Sequence, residues 1–267
     1  GGISMLKKLL KYDLKAVSPI LLAAHGAVLF FTAFGRVLMA LLQVEPFESN
    51  LSALYSLLLL FAIFALTLFT TIYLGMYYYR SFYTDEGYLT NTLPVTANRQ
   101  VLSKYLCGLL WTWINALVVA LCVFILFYRQ FIQVSWKDVF SNAPASLVAL
   151  TILIFVVELF SSCLMVYCAV ALGSLFRGHR VMGCIGGYIF LYLINQLLGI
   201  FILFPTLIRS TRNQLSLDIA AESAVTASQA ISVLNRFLLV ALLVGILVSI
   251  LYYVICVKIL DRKLEMD

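Results

Sequence analysis

Charge is scarce in this sequence. Only 11% of its 267 residues are Asp, Glu, Lys or Arg, whereas soluble globular domains carry roughly 25%. Hydrophobic residues make up 63% of the chain and its mean hydropathy is +1.04. This shortage of charge, together with apolar runs long enough to cross a bilayer, excludes an ordinary soluble domain and predicts an all-α polytopic membrane protein.

Several catalytic and metal-binding signatures are also missing. The sequence has no GxxxxGK[ST] phosphate loop, so we expect no ATP hydrolysis by this chain. Its six cysteines lie in apolar segments without CxxC spacing, and His25 and His179 have no partners at ligand spacing. We therefore expect neither a metal nor a cofactor in this chain. The net charge of +6 comes from residues at segment ends, which membrane orientation explains better than nucleic-acid binding.

The beginning of the chain divides into two parts. Residues 1–4 precede Met5 and are interpreted as a tag remnant, and we expect no cleavable signal peptide because the first apolar run is too long. Residues 5–16 place leucines on one helical face and lysines on the other. This pattern predicts an amphipathic helix lying along the membrane surface. Residues 17–267 are then predicted to form a single transmembrane domain.

Six spans are predicted in that domain, roughly at 17–42, 53–79, 105–128, 146–176, 182–204 and 233–257. The fifth is expected to end at Pro205, because proline interrupts a helix. Residues 206–232 are predicted to include a small helix on the outer surface. Twelve of the 18 Lys and Arg residues lie at the termini, in segment 80–104 or in the turn at 177–180. By the positive-inside rule, both termini and segment 80–104 are predicted to be cytoplasmic.

Segment 80–104 is a polar island between the second and third spans. Thr84 is a candidate N-cap for a short helix, with acidic residues in its first turn, and Pro94 would end that helix. A second helix can begin near Ala97 and continue into the third span. The segment is either a lever that acts on that span or a solvated connecting loop.

Residues 85–104 read D-E-G-Y-L-T-x-x-L-P-V-T-x-x-x-x-V-x-x-K. This run resembles the first cytoplasmic loop of permease subunits of bacterial type-2 ABC exporters, whose six-span layout and N-terminal amphipathic helix are also similar. The resemblance implies the type-2 exporter transmembrane fold, with residues 5–16 as the connecting helix. It also implies a loop that couples the permease to a separate ATPase subunit, which binds ATP and Mg²⁺. The matching residues are Asp85, Glu86, Gly87, Tyr88, Leu89, Leu93 and Pro94.

The resemblance further implies a pair of permease subunits, identical or different, in the bacterial cytoplasmic membrane. The cargo would be amphipathic: a peptide such as a bacteriocin, a drug or a lipid-like molecule. In such proteins the segment between spans five and six often caps the pathway, so residues 206–232 are either an outer gate or plain extracellular decoration.

Glu158 is an ionisable residue in the middle of the fourth span. Such a group is costly in a bilayer unless it is paired or faces water. It is either a pathway residue or gate that meets a cationic or peptidic substrate, or a protonated or hydrogen-bonded structural residue between helices, which nearby Ser161 and Ser162 could partly satisfy. The amides of Asn115, Asn195 and Gln196 either join helices or line the pathway.

Two other function classes remain open. An ion-coupled secondary transporter could use Glu158 as its proton site, but it leaves segment 80–104 unexplained. An intramembrane enzyme needs clustered catalytic groups at membrane depth, and Glu158 has no such neighbour in the sequence.

Overall fold

A computed structural model describes residues 2–84, 96–135, 144–176, 180–215 and 224–266, and these residues form helices and no strand. In chain order the helices are α1 (Gly2–Leu41), α2 (Asn50–Tyr83), α3 (Ala97–Leu126), α4 (Tyr128–Gln133), α5 (Ala145–Gly173), α6 (Arg180–Leu215) and α7 (Ala224–Met266).

Six of these helices are long and apolar enough to cross a membrane; only α4 is too short. Large apolar side chains cover their outer surfaces, such as Phe61 with 69% and Phe201 with 72% of the side chain exposed. A water-facing surface would not carry such a density of exposed apolar groups. The prediction of an all-α, multi-pass membrane protein with six spans is confirmed.

The chain divides into two compact units, residues 1–135 with 263–267 and residues 136–262. Unit 1 contains α1 to α4, and unit 2 contains α5, α6 and most of α7. Each is described by itself. That residues 17–267 form a single domain stays a prediction.

In unit 1, helices α1, α2 and α3 pack on one another around an apolar cluster of Met39, Leu59, Ile63, Cys122 and Leu126. Helix α2 begins with a capping box. The Ser52 amide donates to Ser49 Oγ over 3.2 Å, and the Ser49 amide donates to Ser52 Oγ over 2.9 Å. These bonds satisfy two amides that the helix itself leaves without acceptors.

In unit 2, α5 and α6 approach closely along a face of small residues. A Cβ at Gly183 would lie 2.8 Å from the carbonyl oxygen of Gly173, and one at Gly187 would lie 3.0 Å from that of Ala169. Only glycine allows backbones this close. The G-x-x-x-G spacing at the start of α6 is therefore used for packing within the chain.

The predicted boundary between a surface helix at 5–16 and a first span at 17 is not marked by a break in the helix. Helix α1 is continuous from Gly2 to Leu41 and runs through Pro19. Proline removes one backbone hydrogen bond, but the side chains on either side of it, Val17 and Leu21, are fully buried. Packing of this face against the rest of unit 1 holds the helix together, so residues 5–16 and the predicted first span form one helix. That residues 5–16 lie along the membrane surface stays a prediction.

The predicted helix end at Pro205 is also wrong, because α6 continues through Pro205 to Leu215. Residues 206–215 thus belong to the helix of the fifth span, and 224–232 belong to the helix of the sixth. No separate small helix occurs in those two stretches; residues 216–223 lie outside the described part. The start of a helix near Ala97 is confirmed, and the short helix α4 occupies the first residues between the predicted third and fourth spans.

Candidate functional site

A buried ion pair joins α1 to α3 in unit 1. The Lys104 Nζ lies 2.5 Å from Asp13 Oδ1, and the two residues are 8% and 5% exposed. Breaking such a pair from one side is costly, because the remaining charge stays in a low-dielectric environment without its partner. The packing of α1 on α3 at this place therefore requires that the two charges stay together.

Two neighbouring side chains complete the site. The Tyr77 hydroxyl of α2 donates to Asp13 Oδ1 over 2.7 Å, and the Ser103 hydroxyl donates to Asp13 Oδ2 over 2.7 Å. Lys104 Nζ also donates to the Tyr77 oxygen over 3.0 Å and lies 4.4 Å from the centre of the Tyr77 ring. Both carboxylate oxygens thus have donors, which offsets much of the desolvation of the two charges. We call Asp13, Tyr77, Ser103 and Lys104 the helix joint.

The helix joint fixes both flanks of segment 80–104. Tyr77 lies near the end of α2, just before the segment, while Ser103 and Lys104 are its last two residues. Asp13 ties these two flanks to α1. A displacement of the segment would therefore be transmitted to three membrane-spanning helices rather than to the third span alone.

A second charged group lies at the opposite end of unit 1. Glu45, in the connection between α1 and α2, contacts Arg129 of α4 at 2.5 Å and Arg36 of α1 at 3.7 Å. Arg36 follows Asp13 by 23 residues, which is about 35 Å along an α-helix. The hydrocarbon core of a bilayer is about 30 Å thick. The helix joint and the Glu45 group, which we call the two charged layers, are thus separated along α1 by about the thickness of that core.

The seven residues predicted to couple this chain to an ATPase lie in the part of segment 80–104 that the structure does not describe. Asp85, Glu86, Gly87, Tyr88, Leu89, Leu93 and Pro94 all lie outside the described residues. The helix end before them is described: Thr84 is the C-cap of α2 in an extended conformation, and its hydroxyl donates to the Arg80 carbonyl over 2.7 Å.

Glu158 has an exposed side chain in the middle of α5. Neither of the serines considered as partners binds it: Ser162 donates its hydroxyl to the Leu159 carbonyl over 3.1 Å, and Ser161 is buried. Among the described residues its electrostatic neighbour is Tyr252 of α7. Both interpretations of Glu158, as a pathway residue and as a structural residue between helices, stay predictions.

The predicted polar amides separate into two groups. Asn115 is buried and donates to Thr67 Oγ1 over 3.4 Å, so it joins α3 to α2. Asn195 donates to the Met165 sulfur over 3.2 Å and accepts a bond from the Tyr252 hydroxyl over 3.1 Å, which joins α6 to α5 and α7. Gln196 is exposed. Asn115 and Asn195 are thus placed as bonds between helices, whereas Gln196 is available to lipid, water or a partner.

Sequence reasoning missed Asp13, although a signal for it exists. Asp13 lies three residues after Leu10, which itself follows Leu6 by four, and four residues before Val17. This spacing places Asp13 on the apolar face of α1. The structure buries both Asp13 and Val17. An acid on a face that is to be buried requires a partner, but the sequence does not say which of the 18 basic residues supplies it.

Comparisons with known proteins do not place the chain in a family. No family model matches it, and no curated protein or solved structure is significantly similar to it.

Proposed function

We propose that this chain is the membrane-spanning permease subunit of an ATP-driven type-2 ABC exporter. A separate ATPase subunit, which binds ATP and Mg²⁺, would contact segment 80–104 and drive the helices through it. The observation that carries this proposal is the helix joint, because it ties both flanks of that segment to α1.

The joint gives the segment the mechanical property that a coupling element needs. A loop that only connects two helices can move without moving them. Here Tyr77, which lies next to the segment, and Ser103 and Lys104, its last two residues, are held by an ion pair and hydrogen bonds of 2.5–2.7 Å to Asp13. Since α1, α2 and α3 are each at least 30 residues long, a tilt imposed at one end moves the other end as well.

The remaining features of the proposal follow from the same assignment. Two permease subunits, identical or different, would form one pathway in the bacterial cytoplasmic membrane with their termini in the cytoplasm. The cargo would be an amphipathic peptide, drug or lipid-like molecule moved outward. Glu158 favours a peptide or another cationic molecule as the cargo, because its carboxylate is exposed at the middle of α5, with Tyr252 as a neighbour.

The test is co-expression with candidate ATPase subunits, followed by purification in detergent and measurement of ATP turnover in the complex. Leu89→Asp places a charge at a predicted apolar contact, and Pro94→Ala removes the rigid turn. Both should lose the ATPase or uncouple its turnover. The matched control is Leu42→Asp, which introduces the same charge at an exposed position between α1 and α2, near the opposite charged layer. This control should behave like the wild type.

Lys104→Met separates contact from transmission. It leaves every predicted ATPase-contacting residue unchanged, so the ATPase should still bind, but its turnover should no longer respond to a candidate cargo. If no ATPase subunit binds the wild type, or if Leu89→Asp and Leu42→Asp behave alike, segment 80–104 does not couple this chain to an ATPase.

A second candidate function is ion-coupled secondary transport with Glu158 as the proton site. The exposure of this carboxylate in the middle of α5 favours it. In proteoliposomes without any ATPase, an imposed pH gradient should then drive cargo uptake that Glu158→Gln abolishes. Transport that depends on added ATPase and ATP, and not on the gradient, would reject this alternative.

A further inference from the structure

A group of buried polar side chains lies between α1 and α3 in unit 1, apart from both charged layers. It consists of His25, Trp111 and Asn115, which are 3%, 3% and 8% exposed. Each presents one buried nitrogen or oxygen atom that bonds to none of the described residues: His25 Nε2, Trp111 Nε1 and Asn115 Oδ1. Polar groups in a bilayer interior require hydrogen-bond partners, so these three atoms indicate a ligand.

The chemistry of His25 is set by its other ring nitrogen. Nδ1 lies 2.7 Å from the Leu21 carbonyl oxygen. A carbonyl can only accept, so Nδ1 carries the proton in this bond. In the neutral imidazole, Nε2 is then an acceptor with a free lone pair.

The orientation of the Asn115 amide is set in the same way. The Thr67 hydroxyl donates its proton to the Ile63 carbonyl over 3.1 Å. Its oxygen therefore accepts in the 3.4 Å contact with Asn115, which must present its NH₂ group there. Asn115 Oδ1 is consequently the free end of the amide and a second acceptor.

Trp111 supplies the complementary donor. Its indole Nε1 carries a hydrogen and can only donate. The His25 and Trp111 ring centres are 5.8 Å apart, with the rings tilted by 41°. Asn115 follows Trp111 by four residues, so the two side chains occupy neighbouring positions on one face of α3.

We propose that these three residues bind an internal water molecule. Water accepts the hydrogen of Trp111 and donates its two hydrogens to His25 Nε2 and Asn115 Oδ1, so one molecule satisfies all three atoms. A metal cation does not fit a group that includes Trp111, because an indole N–H can only donate a hydrogen bond. The ligand class is therefore a molecule with a hydroxyl group, and water is the smallest of these.

The position of the site gives it a role in unit 1. His25 lies 12 residues after Asp13 and 11 residues before Arg36, so it is about 17 Å along α1 from either charged layer. The water would join α1 to α3 at the middle of the bilayer, and the Asn115–Thr67 bond extends this connection to α2. This inference does not depend on the proposed function.

Radiolytic footprinting of the purified protein in nanodiscs tests the site, because X-rays convert bound water into hydroxyl radicals that oxidise adjacent side chains. Trp111 should be oxidised well above two other buried aromatic residues, Phe82 and Tyr167, which are 0% and 1% exposed. Asn115→Leu should reduce Trp111 oxidation to their level. Thr32→Val is the matched control: Thr32 is also buried on α1, but its hydroxyl already donates to the Val28 carbonyl over 2.8 Å.

Two results would overturn the proposal. One is wild-type Trp111 oxidation no higher than that of Phe82 and Tyr167, which requires no variant to fold. The other is Trp111 oxidation that Asn115→Leu leaves unchanged. A ¹⁵N spectrum provides a second measurement, since the chain has only two histidines and His25→Phe identifies the His25 signals. The His25 ring should carry a proton on Nδ1; a ring with its proton on Nε2 alone contradicts the water geometry.

Discussion

Removing Lys104 from the helix joint should destabilise the protein through the charge that it leaves behind. In Lys104→Met, Asp13 keeps its donors Tyr77 and Ser103 but loses its countercharge while remaining 5% exposed. Breaking one side of a buried pair costs about 3–5 kcal/mol. Because two hydrogen bonds to the carboxylate remain, we expect the lower end, about 3 kcal/mol.

The reverse variant, Asp13→Leu, removes the carboxylate that Lys104 pairs with and leaves Lys104 buried beside Tyr77. Its cost should be similar, about 3 kcal/mol. Replacing both residues, as in Asp13→Leu with Lys104→Met, removes both charges and fills the space with apolar atoms. Such double replacements are often neutral. The double variant should therefore be more stable than either single variant.

The measurement is the free energy of unfolding from detergent-denaturant titration in mixed micelles, with all variants in one lipid composition. Lys15→Met is the control, because it removes an exposed lysine two residues from Asp13 on the same helix. A surface substitution of this kind changes stability by no more than about 0.5 kcal/mol.

The reasoning is refuted if Lys104→Met matches Lys15→Met, or if the two single costs add in the double variant. Either result would mean that Asp13 and Lys104 do not depend on each other. The helix joint would then be a surface contact that cannot transmit the motion of segment 80–104.

Two further predictions concern packing in unit 2. Gly183→Ala should lower the free energy of unfolding by about 1–3 kcal/mol, because the new Cβ would lie 2.8 Å from the Gly173 carbonyl oxygen and the backbones of α5 and α6 would have to separate. Thermal unfolding in detergent measures this, and Gly199→Ala is the control, since a Cβ there would meet no neighbouring part of the structure within 4 Å. Tyr252→Phe removes the bond to Asn195 and should lower the free energy of unfolding by about 0.6 kcal/mol, with an upper value of about 1.7 kcal/mol. An unchanged unfolding midpoint would show that this bond adds nothing to the packing of α6 on α7.

Pro205 shows where sequence reasoning about helix ends fails in this chain. A proline costs a helix one hydrogen bond, which in a soluble protein often suffices to end it. Here α1 and α6 continue through Pro19 and Pro205. If a helix ended inside a bilayer, the irregular backbone after it would have no water to form hydrogen bonds with. Continuing the helix with one bond missing therefore costs less free energy.

The amino-acid sequence by itself determined the class and the spans. Six long apolar segments separated by polar ones can satisfy their backbone only as helices in a membrane, and the helix start at Ala97 followed from the proline before it. The tertiary structure decided which polar residues meet. Asp13 and Lys104 are 91 residues apart in the chain, and Asn195 and Tyr252 are 57 apart. Local patterns show that such residues lie on faces to be buried, but they do not show which helices face each other. Only packing brings these side chains within hydrogen-bond distance, because direct contact depends on the order and rotation of whole helices.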